Sequence, residues 1–82
     1  MHTIFLSGAD YQTPRELHGA LKRLLGLPDY YGHNADALYD CLSERRETVN
    51  LVVTGLGNEE VAGAIRKCAA VISDLGGSVT GI

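Results

Sequence analysis

Apolar positions along the chain fall into two regimes: short runs that suit buried strands, and stretches where they return every three or four residues, as one helix face requires. Residues 2 to 6 form the first short run, and Ser7-Gly8-Ala9-Asp10 reads as a loop leaving a buried strand. Thr13-Pro14-Arg15-Glu16 then supplies an N-cap, a proline at the first helical position and a glutamate at the capping-box position. Leu17, Leu21, Leu24 and Leu25 follow at helical spacing and are predicted to bury. Gly26 ends that helix, and Pro28 prevents its resumption.

Asp29-Tyr30-Tyr31-Gly32-His33 has no useful periodicity and reads as a loop, with Gly32 suited to a positive φ. Asn34 is a good N-cap for a second helix over 35–43, whose inward stripe is Ala35, Leu38, Cys41 and Leu42. Residues 49–54 are β-branched and apolar apart from Asn50, the pattern of a central strand covered on both sides. Gly55-Leu56-Gly57-Asn58 breaks it. Asn58 caps a third helix with Glu59 and Glu60 at the positive end of its dipole and Val61, Ile65, Cys68 and Ile72 inward; Gly63 weakens that helix slightly. Gly76-Gly77 ends it, and 78–82 makes a short last strand. The order strand, helix, helix, strand, helix, strand predicts an α/β fold: a three-stranded parallel sheet flanked by about three helices, one domain over 1–82.

With 82 residues, 45% apolar and 21% charged, the chain has the balance of one small globular domain with one core. No run approaches the roughly 20 apolar residues of a membrane span. Met1-His2-Thr3-Ile4-Phe5-Leu6 lacks the basic start of a signal peptide, so the expected location is the cytoplasm, away from membranes. In that reducing compartment Cys41 and Cys68, both on helical apolar stripes, are expected to act as small hydrophobes rather than a disulfide.

The net charge of −3 is unevenly spread. Residues 29 to 44 hold Asp29, Asp36, Asp40 and Glu44 with no lysine or arginine, leaving +1 for the rest. Nucleic-acid binding calls for the opposite sign on a working face, so a basic partner is favoured.

Positions 36, 39, 40 and 43 share one helix face, which gathers Asp36, Tyr39, Asp40 and Ser43. Asp36 sits in the first turn, where the dipole favours an acid; Asp40 lies near the other end, where it does not, and no base within 35–43 relieves the pair. Tyr30, Tyr31 and Tyr39 are expected to be exposed beside these acids, as interface anchors are. Spacing alone leaves interface and plain solvated surface equally open. An enzyme built on His33 with Cys41, or on the two aspartates, is disfavoured: the thiol lies on the core stripe, and an exposed helix face offers no pocket. His33, Asp36 and Asp40 match no metal-ligand spacing, His18 reads as a packed histidine of the first helix, and His2 has no inferred role. No catalytic residue, metal ligand or cofactor is assigned.

The segment Leu27-Pro28-Asp29-Tyr30-Tyr31-Gly32-His33-Asn34-Ala35-Asp36-Ala37-Leu38-Tyr39-Asp40-Cys41-Leu42 closely resembles the signature of the barstar family, and Glu16-Leu17-His18 and Leu51-Val52-Val53 also look like it. The resemblance implies a barstar-like fold and an intracellular protein inhibitor of a barnase-like, guanyl-preferring ribonuclease, monomeric when free and bound 1:1 to that basic, extracellular-type enzyme. Carried over position by position, it puts the central acid at Asp40, in the pocket for the substrate phosphate. Asp36 would meet an arginine at the guanine side and Tyr30 would lie against the catalytic histidine, while Gly32, Asn34, Tyr39 and Ser43 complete the contact surface. Physical reasoning allows this, because a carboxylate can satisfy the cations of a phosphate site without being cleaved. Three departures stand out: Tyr39 replaces the family's tryptophan, the last helix lacks its interface glutamate around Val71 and Ile72, and the connection between Thr54 and Glu59 is shorter. The alternative is a binding or immunity module on the same scaffold that neutralises a different toxin or assembles with a non-nuclease partner.

Overall fold

The computed structural model describes residues 2–82. Three strands, β1 (His2–Ser7), β2 (Val49–Gly55) and β3 (Ser78–Thr80), form a parallel sheet in the order β1-β2-β3. Three helices, α1 (Pro14–Leu25), α2 (Ala35–Arg45) and α3 (Glu59–Asp74), fill the two crossovers. This is the predicted α/β architecture. The loop expected after β1 is a turn of 3-10 helix, Gly8–Asp10, and the last strand is shorter than expected.

Helix starts follow from local chemistry. Thr13, Asn34 and Asn58 each sit in extended backbone and accept the amide three residues on, at 3.2, 2.8 and 2.9 Å, so every helix begins with a satisfied donor. At its other end α1 closes on Gly26, whose φ of 62° places it in the left-handed region that glycine enters freely.

One face of the sheet carries the core. Ile4 and Leu6 of β1 and Val49, Leu51 and Val53 of β2 point into a cluster with Leu17, Leu21 and Leu25 of α1, Leu38 and Leu42 of α2, and Val61, Ile65, Cys68 and Ile72 of α3. Leu24 of α1, predicted to bury, is instead 40% exposed, at the edge of the leucine stripe.

The strand β2 is not covered on both sides, as its composition predicted. Burial alternates along β1 and β2, and Phe5, which pairs in register with the half-buried Val52, is 67% exposed on the other face. Topology gives the reason. Two right-handed crossovers that step through the sheet in one direction place their helices on the same side, leaving the opposite side bare. Among the described residues, no helix is long and apolar enough to cross a membrane.

Candidate partner-binding site

The segment between α1 and α2 is built from alternating contacts. Tyr30 is 80% exposed while Tyr31, the next residue, is only 3% exposed and belongs to the core. The expectation of three exposed tyrosines therefore fails at Tyr31: a turn closed by its amide on the Pro28 carbonyl separates it from Tyr30, and its phenol finds a buried partner, the His18 Nδ1, 2.6 Å away. Burial raises the Tyr31 phenol above its ordinary range, with smaller contributions from Cys68 and then Cys41.

Gly32 is not the residue with positive φ. His33 is, at 56°, and its ring Nδ1 donates to the Tyr31 carbonyl at 2.9 Å. Gly32 is instead a place of close approach: a Cβ there would press on the Ala37 side chain at 3.3 Å, because the first turn of α2 passes close by. Asn34 both caps α2 and donates its amide to the Gly32 carbonyl at 3.2 Å, so Gly32 and Asn34 form one closed turn.

Helix α2 buries Leu38, Cys41 and Leu42, half-buries Ala35 and exposes Asp36, Tyr39, Asp40 and Ser43. The Ser43 hydroxyl donates back to the Asp40 carbonyl at 3.1 Å. Among the described residues neither Asp36 nor Asp40 has an ion-pair partner; Asp29 does, in Lys22 of α1 at 3.3 Å. Such an exposed pair is worth little, but it draws Asp29 away from the helix face.

The helix runs two residues past its predicted end, with two consequences. Glu44 joins the stripe, so Asp36, Asp40 and Glu44 stand at successive four-residue steps. Arg45 is also helical, which corrects the reading of a helix without a base. Its guanidinium, however, donates to the Leu25 carbonyl at the end of α1 and braces the two helices instead of neutralising the stripe. The four-residue spacing of Glu44 from Asp40 was the signal that could have added it to the site.

Two hollows frame the acidic face. One, of about 190 Å³, lies between Tyr30, Gly26 and Pro28 and the side of α2 bearing Cys41, Glu44 and Arg45, so Tyr30 stands beside the acidic stripe. The other, of about 720 Å³, opens between the starts of the three helices, with Pro14, His18, His33, Asp36, Glu60 and Lys67 in its wall. Asp36 thus stands at a rim, where one side is the stripe and the other the cleft.

Nucleophilic chemistry has no support here. Cys41 and Cys68 are free and buried; burial, then Glu44 and Asp40, push the Cys41 thiol up, and burial pushes Cys68 up to about 12, so neither has thiolate character at neutral pH. Among the described residues, no three His, Cys, Asp or Glu side chains are grouped closely enough to hold a metal ion.

Comparison with known proteins adds independent information. The family model described as "Barstar (barnase inhibitor)" matches residues 1–75. The chain is also 49% identical, over 43 residues, to the Bacillus subtilis (strain 168) protein named "Putative ribonuclease inhibitor YrdF", an overlap of 52% of this chain and 47% of that protein. The chain therefore spans about half the length of the curated relative it matches.

Proposed function

The chain belongs to the barstar family, and we propose that it inhibits a barnase-like, guanyl-preferring ribonuclease by presenting the α2 acids as a substitute for the substrate phosphate. In this reading Asp40 enters the phosphate pocket, Asp36 pairs with a cation at its rim and Tyr30 covers the catalytic histidine. Gly32, Asn34, Tyr39 and Ser43 complete the surface, in a 1:1 complex with a chain that is monomeric when free.

The observation that carries the proposal is the exposed ladder of Asp36, Asp40 and Glu44 beside Tyr30, in which neither aspartate is paired among the described residues. A protein under selection for stability alone gains nothing from three like charges at four-residue spacing. A basic cleft gains much from them, since charge-assisted hydrogen bonds in a water-excluded site are the strong ones. Glu44 also supplies an acid beyond those named by the family resemblance, on a chain whose last helix lacks the family's interface glutamate.

The test is an RNA-cleavage assay with purified barnase, with and without this protein. Stoichiometric loss of cleavage, relieved by added salt and competed by a guanosine nucleotide, is the expected result. Undiminished cleavage at micromolar protein would remove barnase from the targets, and binding insensitive to both salt and nucleotide would remove phosphate mimicry.

A further inference from the structure

The segment that carries Tyr30 is anchored to the core through a contact distant in sequence. The Tyr31 hydroxyl has two hydrogen-bond partners within reach, the His18 Nδ1 at 2.6 Å and the Asn34 carbonyl at 3.4 Å. Which of the two groups donates in the shorter contact is set by the His18 tautomer, and the other ring nitrogen, Nε2, faces the Cys68 sulfur 4.0 Å away. His18 is itself buried on α1, thirteen residues from Tyr31.

Around that contact every turn of the segment is tied. The Tyr31 amide donates to the Pro28 carbonyl at 3.0 Å, His33 donates to the Tyr31 carbonyl, and Asn34 donates to the Gly32 carbonyl. The His33 ring stands 5.3 Å from that of Tyr31, centroid to centroid, and the His18 ring stands 5.8 Å from it on another side. Left-handed backbone at a residue other than glycine persists only where its surroundings hold it, and here they do.

The geometry points to His18 and Tyr31 as positioning residues: a buried latch that holds the 30–34 segment in one shape, so that Tyr30 and the cap of α2 meet a partner already ordered. Neither residue faces a partner. Their contribution is to remove the entropy cost of ordering the segment on binding, which appears chiefly in the dissociation rate. The use of the latch in binding rests on the ribonuclease-inhibitor reading; the latch itself does not.

The experiment compares the unmodified chain with Tyr31→Phe, with the double variant Tyr31→Phe/His18→Leu, and with His18→Gln. Replacing both buried partners by apolar groups of similar shape is nearly neutral for stability, so the double variant separates holding the fold from holding the segment. Its denaturant midpoint stays close to that of the unmodified chain. Amide exchange at Tyr31 and Ala37 quickens about tenfold relative to Ile65 in α3, and release from catalytically inactive barnase quickens about tenfold at an unchanged association rate, as expected for one lost hydrogen bond. His18→Gln, which keeps a polar atom facing the phenol, retains most of the slow exchange.

If the double variant exchanges at Tyr31 and Ala37 as slowly as the unmodified chain, the latch is refuted, whatever barnase does. If exchange quickens while release does not, the pair orders the segment without serving binding, and the proposal is overturned in that half. Faster exchange in a chain that never bound barnase supports the latch and overturns the inhibitor reading instead.

Discussion

Helices α1 and α2 are of nearly equal length, 12 and 11 residues, cover the same face of the sheet and each start from a side-chain cap, yet beyond the first turn their charges differ. In α1 the first turn holds Glu16 beside Arg15, but the bases Lys22 and Arg23 occupy the last, as the helix dipole favours. In α2 the first-turn Asp36 obeys the same rule, but Asp40 and Glu44 follow it toward the negative end, and Arg45, the one base there, is spent on α1. Their ends differ likewise: α1 closes on Gly26 with φ 62°, α2 on Arg46 with φ 55°, a conformation that costs a residue with a side chain. Helix α1 is arranged for its own stability. Helix α2 gives up part of its own for a charged face, the exchange expected of a binding surface.

The sharpest way to break this contrast is Asp40→Ala. On the proposed reading it costs about 3 kcal/mol or more in barnase binding, because the partner's desolvated cations lose their counter-charge. Calorimetry or competition with a labelled complex measures it. The corresponding change on α1, Glu16→Ala, leaves binding unchanged. Equal, small effects at both positions would mean that α2 carries no special role.

A second test concerns the buried side of the contrast, where α1 holds the segment leading to α2. Burial, and then the nearby His33, lower the pKa of His18 below the ordinary 6.5. The groups around it are Tyr31 from the segment and Cys68 from α3, with Asp36, Glu60 and Lys67 in the wall of the adjoining cleft. Because the unfolded chain takes up this proton near pH 6.5 and the folded chain only at lower pH, stability falls as pH drops below about 6.5 and levels off below the folded value. His18→Gln flattens that slope in thermal melts between pH 7.5 and 5. A slope unchanged by the substitution would show that His18 is already solvated.

What could be read without coordinates was what neighbours in sequence decide. Thr13, Asn34 and Asn58 announce their helices because a cap needs only the next three residues. Gly26 announces an end for the same reason, and the face shared by Asp36, Tyr39, Asp40 and Ser43 follows from helical spacing alone. The misses at β2 and Tyr31 turn on distant contacts. The composition of β2 could not say that both crossovers fall on one side of the sheet, which leaves Phe5 and Val52 with no helix over them. Nor could Tyr30 and Tyr31 be told apart until His18, on another helix, was placed to hydrogen-bond with one of them. The left-handed residue was assigned to Gly32 because glycine pays nothing for it; contacts around His33 outweigh that preference.

A third test measures what α2 gives up. Asp40→Ala removes two like-charge contacts at four-residue spacing, an unfavourable dipole interaction and a poor helix former, so the free protein gains about 1 kcal/mol. One substitution thus moves stability up and affinity down. A loss of stability would mean that Asp40 makes a folding contact, and the functional reading of its exposure would lapse.

The smallest effect is expected at the end of α2, where Arg46→Gly gives it the closing residue that α1 already has. Arginine in the left-handed region costs about 1 kcal/mol relative to glycine. Against this, the glycine loosens the unfolded chain, and the helix loses a cation near its negative end, which together return about half of the gain. The net is about 0.5 kcal/mol, or a rise of about 3 °C in Tm for a domain of this size. Its value as a test lies in what stays fixed. Arg46 donates its backbone amide to Leu42 and lies outside the ladder of acids, so on the proposed reading dissociation from barnase remains unchanged while Tm rises. Should dissociation change as well, the end of α2 belongs to the binding surface, and the unfavourable closure has to be counted with the acids as part of the same adaptation.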